Sequence, residues 1–420
     1  MSSRLPQEGS RINREKTVDF RFNGKNLKGF DGDTVASALL ANNEMFVARS
    51  FKYHRPRGIF SAGEEEPNAL MGIGEGPFFE PNIRATEVKL KQNMNVASQN
   101  HWPSLRFDFL SINNVFSRFF AAGFYYKTFM WPRAAWKYLF EPMIRRASGL
   151  GNAPREYDEE HYEHIYHHTD ALIIGGGLAG ITAAKALRDR GLSIMLCEKD
   201  CVIGGRYLED SQIEEEDRYK KFHEKCIEIL KKSKDISVKL NTTVTGIFDH
   251  GFVLAYEENQ HSDTATKKAL WKIRAKTIIL CTGAIERPLV FPDNDLPGIM
   301  LAASVRDYLQ KYGVLLGDQL VLTTNNDYAY KTVIELKRRG IDVPVVLDTR
   351  TSSDDPIIEE IESLGIRILF GKCIGKVEGK RKVDAVGICS VNGEGTIEEL
   401  IPCNAIAVSG GWTPNVNLWS

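Results

Sequence analysis

Three glycines separate a hydrophobic run from an alanine-rich run in ALIIGGGLAGITAAKAL, residues 171–187. Gly175, Gly177 and Gly180 have the spacing G-x-G-x-x-G. At this spacing the first glycine allows a tight turn, the second lets the main chain approach a pyrophosphate, and the third lets a helix pack closely on a strand. The pattern therefore predicts binding of the ADP half of a dinucleotide, with its diphosphate at a helix N-terminus.

The residues on either side predict the elements that such a loop needs. DALII predicts a buried strand before the loop, and ITAAKALRDRG predicts a helix after it. The following strand, SIMLCEK, contains Glu198, 18 residues after Gly180, close to the offset of about 20 expected for an acid that binds ribose hydroxyls. A purely structural glycine-rich turn is the alternative. FAD and NAD share the ADP half, so these residues leave the choice of dinucleotide open.

Later stretches continue the same predicted fold. IGGRYLED adds a second close-approach turn, Gly204-Gly205-Arg206, which carries a cation. A charged helix over about 216–232 is followed by three strand-like runs: ISVKLNTTVTGIFD, GFVLAYEEN and LWKIRAKTIIL. The last of these runs leads into Thr282-Gly283, and Arg287-Pro288 and Leu296-Pro297-Gly298 follow downstream. That order resembles the chain return of flavoprotein reductases with two dinucleotide folds.

A second strand–turn–helix–strand unit follows in residues 318–350. Its second strand ends at Asp348, but the fingerprint positions hold Thr324, Asn326 and Ala329. Asparagine tolerates left-handed backbone geometry, yet it places a side chain where a phosphate would approach. We therefore predict a fold retained for structure rather than a tight nucleotide site.

The first hundred residues have a different pattern. TVDFRFNGKNLKGFDGDTVASALL, residues 17–40, predicts two strands joined by a turn at Asn23-Gly24. Asp33 or Thr34 is then placed to cap a helix. Two strands and a helix begin a small α+β domain, which we expect to extend to about residue 97.

Residues 98–169 are expected to form a connector and linker. Its residues 101–140 contain fourteen aromatic residues: Trp102, Phe107, Phe109, Phe116, Phe119, Phe120, Phe124, Tyr125, Tyr126, Phe129, Trp131, Trp136, Tyr138 and Phe140. We expect these rings to pack on neighbouring domains or on another subunit, and a membrane-surface element is the alternative. Residues 151–169 are predicted to be a solvated linker, whose histidines lack the second ligand motif that a metal site needs.

Composition excludes several functions. The 420 residues carry a net charge of −1, so no general attraction to nucleic acid or anionic membranes is expected. The N-terminus lacks the apolar core of a signal peptide, and the seven scattered cysteines include no C-x-x-C pair. An unpaired set of this kind predicts a reduced, cytoplasmic protein. Ser-His-Asp, H-E-x-x-H and P-loop patterns are missing, so we assign no catalytic residue and no metal ligand.

Long and idiosyncratic motifs carry a resemblance to a known family. RSFKYHRPRGIFSAGEEEPNALMGI, residues 49–73, closely resembles the N-terminal domain of the alpha subunits of heterotetrameric sarcosine oxidases. The resemblance continues through MWPRAAWKYLFEPMIRRASGLGNAP, the GGGLAG loop, TNNDYAY and SGGWTPNV. It covers nearly the whole chain from about residue 15.

The resemblance implies an N-terminal domain similar to a plant-type [2Fe–2S] ferredoxin. A plant-type cluster needs C-x4-C-x2-C and a fourth thiolate, but the first cysteine in the chain is Cys197. We therefore expect a scaffold domain without an iron–sulfur cluster. This fits sarcosine oxidases better than the related opine-oxidising and cyanide-forming enzymes, which keep cysteines there.

The resemblance also implies cofactors and partners. The family enzymes combine alpha, beta, gamma and delta subunits, oxidise the amine at a flavin of the beta subunit, hold FMN at the alpha–beta interface and bind NAD in the alpha subunit. Sarcosine is oxidised at its N-methyl carbon, and the imine yields glycine and formaldehyde or methylene-tetrahydrofolate, with hydrogen peroxide formed from oxygen. Family alpha subunits end in a folate-binding domain. Either this sequence is a fragment, or the folate function lies elsewhere.

Carried over position by position, the resemblance assigns an NAD site. The implied contacts are Gly175, Gly177, Leu178, Ala179 and Gly180 at the pyrophosphate, Glu198 at the ribose with Cys197 and Lys199 alongside, Gly205 and Arg206 on the phosphate side, and Val244 at the adenine. Thr282 and Gly283, at the chain return, complete the candidate cofactor-binding set. His54, Arg55 and Arg57 are expected to fix a loop of the scaffold domain; an interface or flavin-phosphate contact is the alternative.

The expected architecture is α/β with two dinucleotide-binding domains, preceded by a small α+β ferredoxin-like (β-grasp) domain. The expected boundaries are 1–97 for the scaffold domain, 98–169 for the connector, 170–300 and 301–395 for the two nucleotide folds, and 396–420 for the return segment. The expected function is that of a sarcosine oxidase alpha subunit. A free-standing FAD/NAD(P)H reductase and a non-catalytic cofactor-binding scaffold subunit are the alternatives.

Overall fold

The chain folds into two compact units. The computed structural model describes residues 3–119, 123, 131–147, 149–210, 217–258 and 266–419. Unit 1 comprises Met1–Tyr157 and Glu286–Gly411, and unit 2 comprises Asp158–Ile285 and Trp412–Ser420. The predicted sites therefore divide, since the first dinucleotide fold lies in unit 2 and the second in unit 1.

Unit 1 begins with a five-stranded sheet in the order β2-β1-β7-β5-β6. The strands of the first hundred residues are β1 Asn13–Phe22, β2 Lys25–Asp31, β3 Ala48–Arg49, β4 Pro56–Arg57, β5 Leu70–Ile73, β6 Glu80–Arg84 and β7 Met94–Ser98. The predicted hairpin is confirmed, with Phe22 opposite Lys25 and positive φ at Asn23 and Gly24. Thr34 caps helix α1, Val35–Ala41, in a capping box with Ser37.

Short helical segments follow in unit 1. They are the 3-10 turns Gly76–Phe78, Phe109–Ser111 and Ser117–Phe119, helices α2 Ile112–Val115, α3 Arg133–Ala135 and α4 Glu141–Ala147, and the π-helical Trp136–Phe140. Trp102, Phe107 and Phe109 are each more than half exposed, and their rings cluster, with centroids 5.0–5.2 Å apart. These rings therefore lie at the surface of unit 1. Five predicted interface rings lie outside the described residues: Phe120, Phe124, Tyr125, Tyr126 and Phe129.

Unit 2 is built on a six-stranded sheet in the order β10-β9-β8-β13-β12-β11. Its strands are β8 His161–Ile174, β9 Ile194–Cys197, β10 Ile236–Lys239, β11 Thr242–Phe248, β12 Phe252–Glu258, β13 Thr266–Leu280 and β14 Ala284–Glu286, which ends on the first residue of the next unit 1 segment. Its helices are α5 Leu178–Leu187, α6 Tyr207–Asp210 and α7 Asp217–Lys232, with a 3-10 turn at Asp249–Gly251. The parallel neighbours β10, β9, β8 and β13 place the end of β8 in the middle of the sheet, which is where the glycine loop begins.

The remaining elements complete unit 1 and return to unit 2. Strands β15 Ile299–Leu301, β16 Leu320–Thr324, β17 Val346–Asp348, β18 Ile368–Phe370 and β22 Ala405–Ser409 form a parallel sheet in the order β15-β22-β16-β17-β18, and β19 Lys372–Glu378, β20 Ala385–Ser390 and β21 Glu399–Pro402 form an antiparallel one. The helices are α8 Ala302–Tyr312, α9 Tyr330–Arg338 and α10 Ile357–Ser363, with a 3-10 turn at Asp327–Ala329; β23 Trp412–Pro414 lies in unit 2.

One hydrophobic core joins both parts of unit 1. Leu39 and Ile59 of the N-terminal domain belong to the same buried cluster as Val305 and Leu309 of α8. The small N-terminal sheet is therefore stabilised by apolar burial against the second nucleotide fold.

Two sequence predictions were wrong in detail. Residues 161–169 are not a linker: they form the first part of β8 and pair along their length with β13. That partner lies about a hundred residues away, so local composition did not reveal it. The run ISVKLNTTVTGIFD is two strands, because Asn241 takes a positive φ between them.

Within the described residues, no helix is both long and apolar enough to cross a bilayer, and no group of three His, Cys, Asp or Glu side chains is arranged to hold a metal.

Candidate nucleotide-binding site

The glycine loop after β8 has the backbone geometry that its spacing predicts. Gly175 takes φ +104°, in the region that favours glycine, and a Cβ on it would lie 2.2 Å from the Cys281 carbonyl oxygen. A Cβ on Gly180 would lie 1.9 Å from the Gly175 carbonyl oxygen. Both glycines are therefore required by close contacts of the main chain.

Gly177, in contrast, is not required by contacts within the chain. It caps α5 with φ −71°, a conformation open to any residue, and a Cβ there would meet nothing within 4 Å. The first intrahelical bond runs from Ile181 N to Gly177 O, 3.0 Å. The N–H groups of Leu178, Ala179 and Gly180 therefore have no intrahelical partner and point toward the helix start, where the helix dipole favours an anion.

A second turn completes this cradle. Gly204 N donates to Gly176 O at 2.9 Å, and a Cβ on Gly205 would lie 3.1 Å from Gly177 Cα. Arg206 follows directly and stacks over the Trp412 ring, 5.3 Å from its centroid. The structure thus brings the two predicted glycine turns together. The Trp412 contact was not predicted, although this residue lies in the SGGWTPNV motif.

Glu198 holds the loop in place. Its carboxylate accepts Gly176 N at 2.6 Å and Asp200 N at 2.8 Å, one on each oxygen. An ionised carboxylate offers about four acceptor sites, so two of them are used in these bonds. Glu198 is therefore positioned at the end of β9 with acceptor capacity that ribose hydroxyls could use.

The other predicted residues lie around this cradle with different orientations. Thr242 N, at the start of the strand that carries Val244, donates to Glu198 O at 2.9 Å. Thr282 Oγ1 donates to Asn415 O at 2.6 Å, and Asn415 N donates to Gly283 O at 3.0 Å. Cys197 is buried in the core, and burial raises the pKa of its thiol to about 12. Cys197 can therefore contact a ligand only through its backbone.

The equivalent positions of the second fold are filled by side chains. The Asn326 amide donates to Ser409 Oγ at 3.0 Å and accepts Ala329 N at 3.3 Å, so it covers the helix start. Arg350 pairs with both Asp327 and Asp348. Asn326 and Gly177 occupy equivalent positions in the two folds. The asparagine side chain forms hydrogen bonds within the chain, whereas the space beside Gly177 is open.

Asp348 has no acceptor capacity left for a ribose. Its Oδ1 accepts Arg350 N and Nε at 2.8 and 3.1 Å, and its Oδ2 accepts Arg350 Nη2 and the Tyr330 hydroxyl, both at 2.7 Å. All four acceptor sites are used, and the residue is fully buried. This geometry favours a structural role for the second fold.

Comparison with known proteins identifies the class. Residues 169–419 match the family model described as pyridine nucleotide-disulphide oxidoreductase, and residues 15–101 match one described as 2Fe-2S iron-sulfur cluster binding domain. The chain belongs to the pyridine nucleotide-disulphide oxidoreductase family.

The curated relatives narrow the class. The chain is 39% identical over 99% of its length to sarcosine oxidase subunit alpha of Rhizobium meliloti (strain 1021), and 32% identical over its whole length to that of Corynebacterium sp. (strain P-1). This confirms the resemblance predicted from residues 49–73. The chain spans 42% and 40% of the length of these relatives, and its two matched domains fit an N-terminal part of the alpha subunit. A solved L-proline dehydrogenase from P. horikoshii shares the fold, with a TM-score of 0.59 and 21% identity over 98% of this chain and 64% of its own.

The residues present do not fit an iron–sulfur cluster in the N-terminal domain. A plant-type cluster requires four thiolates, and residues 1–196 contain no cysteine. The loop between β4 and β5 is instead closed around the Glu66 carboxylate, which accepts four backbone N–H groups. A scaffold domain without a cluster remains a prediction, and the missing thiolates support it.

The first testable prediction separates the two kinds of glycine. Gly180→Ala is expected to lower the free energy of unfolding by about 1–3 kcal/mol or more, because its Cβ would overlap a backbone carbonyl. Gly177→Ala is the matched control, at a cost of about 1 kcal/mol or less for a poorer cap. Chemical denaturation measures both. Equal losses of unfolding free energy in the two variants would contradict this distinction between Gly180 and Gly177.

The second prediction concerns the second fold. Arg350→Met is expected to cost about 3 kcal/mol, because it leaves the buried Asp348 carboxylate without its cation. Arg367→Met, which breaks the exposed pair with Glu399, is the control and is expected to cost about 0–1 kcal/mol. Urea unfolding at neutral pH compares the two variants with the parent protein.

The pH dependence of this difference has a definite sign. Hydrogen bonds from Arg350 lower the pKa of Asp327. A lowered acid pKa stabilises the fold above the ordinary aspartate pKa of about 3.9, and the stabilisation is lost as the pH falls through the folded-state value. The difference in free energy of unfolding between the parent protein and Arg350→Met should therefore become smaller below about pH 4. A larger difference below pH 4 would contradict the role of Arg350 in stabilising the ionised Asp327 carboxylate.

Proposed function

We propose that this chain is the N-terminal part of the alpha subunit of a multimeric sarcosine oxidase. In this proposal it holds NAD in the first dinucleotide fold and docks the flavin-bearing beta subunit, with FMN at their interface and gamma and delta subunits completing the enzyme. The observation that carries the proposal is similarity to sarcosine oxidase alpha subunits along 99% of the chain. The open cradle at Gly177 supports the nucleotide part of it.

The proposed NAD contacts follow from the cradle. The N–H groups at the start of α5 would bind the diphosphate, Glu198 would accept ribose hydroxyls with its remaining lone pairs, and Arg206 would add positive charge. NAD bound in this way would be a resident cofactor, whereas amine oxidation belongs to flavin chemistry in the complex. This chain's residues would orient the cofactor and exclude water, and none is assigned as acid, base or nucleophile.

The proposed reaction is oxidative demethylation of sarcosine. Two electrons and two protons leave the N-methyl group and nitrogen, the imine is hydrolysed to glycine and formaldehyde or its one-carbon unit passes to tetrahydrofolate, and oxygen becomes hydrogen peroxide. The exposed rings of Trp102, Phe107 and Phe109 support a docking surface on unit 1, since aromatic residues are enriched at interfaces.

The reductase alternative is less well supported. A free-standing FAD/NAD(P)H reductase needs two working nucleotide sites, and Asn326 and Asp348 already use their polar groups within the second fold. The two functions can be distinguished by denaturing the purified protein and identifying the released ligand by mass spectrometry. NAD without flavin absorbance supports the proposal. Bound FAD together with NADH oxidation would favour the reductase.

The third prediction tests the cradle. Gly177→Val is expected to remove most of the bound nucleotide, because its side chain would occupy the space in which a diphosphate approaches the main chain. Because Gly177 has an ordinary φ, the variant should keep the circular dichroism spectrum of the parent protein. Thr182→Val, on an exposed position of α5, is the control and should retain the nucleotide. Full occupancy in folded Gly177→Val would refute the site.

A further inference from the structure

The loop between β4 and β5 directs four backbone N–H groups at one side chain. Glu66 Oε2 accepts Phe60 N at 2.8 Å and Ser61 N at 2.7 Å. Its Oε1 accepts Asn68 N at 2.8 Å and Ala69 N at 3.0 Å. Glu66 is 1% exposed, so this is a buried carboxylate bound entirely by main chain at these four sites.

Such a loop needs an acceptor at its centre. Buried N–H groups without a partner each cost free energy, and four that converge on one point are best satisfied by an anion. An ionised carboxylate has about four acceptor sites, which matches the four donors. Burial raises the pKa of Glu66, and each of the four N–H groups opposes that rise.

The family model that matches residues 15–101 describes a domain that binds a [2Fe–2S] cluster. Such a cluster carries thiolate and sulfide ligands that accept hydrogen bonds from the surrounding protein. Here the chain has no cysteine to supply the thiolates. It has, in the same domain, a loop of converging N–H groups and a buried carboxylate bound within it.

We propose that the Glu66 carboxylate organises this loop as an internal anion in place of an iron–sulfur cluster, and so positions the N-terminal domain on the second nucleotide fold. The proposal is independent of the function proposed above. It assigns a positioning role to a residue whose sequence context, GEEEPN, resembles a solvated acidic run.

The same loop makes three polar contacts to the second fold within unit 1. The Tyr308 hydroxyl donates to Ser61 O at 2.9 Å, Ala62 N donates to Ser304 Oγ at 3.0 Å, and Leu301 N donates to Phe60 O at 2.9 Å. Phe60 and Ser61 thus use their N–H groups on Glu66 and their carbonyls on the second fold. Loss of the carboxylate would therefore disturb both sides of these peptides.

The fourth prediction uses a charge-neutral variant of the same shape. Glu66→Gln keeps an acceptor for two N–H groups but turns an NH₂ group toward the other two. Its melting temperature is expected to fall by about 5 °C or more. Glu65→Gln, at the neighbouring carboxylate, is the matched control, with a shift within about 1–2 °C. Equal shifts in the two variants would overturn the proposal.

Anion rescue tests the role of charge directly. Glu66→Ala leaves the four donors around a space that a small carboxylate can enter. Formate is expected to raise its melting temperature, or its refolding yield if the variant is isolated only in unfolded form, relative to sodium chloride at equal ionic strength. The parent protein and Glu66→Gln should show no such response. Absence of rescue in Glu66→Ala would overturn the internal-anion role.

Two further measurements distinguish local positioning from general destabilisation. In Glu66→Gln, hydrogen exchange should accelerate in peptides that cover residues 58–70 and 301–308, while β20 should keep the protection of the parent protein. Uniform acceleration would contradict a positioning role. Iron and acid-labile sulfide bound stoichiometrically to the purified parent protein would refute replacement of the cluster.

Discussion

Main-chain N–H groups in loops and at helix starts require an acceptor, and this requirement applies to three loops of the chain. After β8 the space beside Gly177 is open, and the proposed acceptor is the diphosphate of a nucleotide. After β16 it is a side-chain amide, that of Asn326. In the N-terminal domain it is the Glu66 carboxylate. The same electrostatic demand is thus met by a neutral side chain in one loop and by a buried carboxylate in another, and in the proposed function a cofactor meets it in the third.

The two dinucleotide folds differ in how their acidic residues are used. Glu198 directly follows the second strand of its fold, and Asp348 is the last residue of the corresponding strand. Glu198 accepts two hydrogen bonds from main-chain N–H groups around its own loop. Asp348 accepts four, from Arg350 and Tyr330. A residue at the ribose position is therefore not by itself a binding residue. What decides its role is the number of lone pairs that the fold leaves unused.

Local patterns were sufficient where local geometry determines the structure. The glycine spacing predicted the turn at Gly175 and the close packing at Gly180, and the Asn23-Gly24 pair predicted the first hairpin. The failures depended on distant partners. Residues 161–169 form a strand because residues 266–275 pair with them, and the role of Glu66 depends on peptides on both sides of it in a folded loop. Trp412 meets Arg206 only because the chain returns to unit 2 after more than a hundred residues.

Retention of the second fold has a physical reason that does not involve a nucleotide. Helix α8 contributes Val305 and Leu309 to the core that also contains Leu39 of the N-terminal domain, and its Tyr308 and Ser304 bond the loop organised by Glu66. Once that burial depends on α8, side chains can fill the nucleotide site without loss of the fold's structural contribution. The Arg350 pairs strengthen this arrangement, since they replace ligand contacts by contacts within the chain. The second fold is thus best understood as the support on which the N-terminal domain is held.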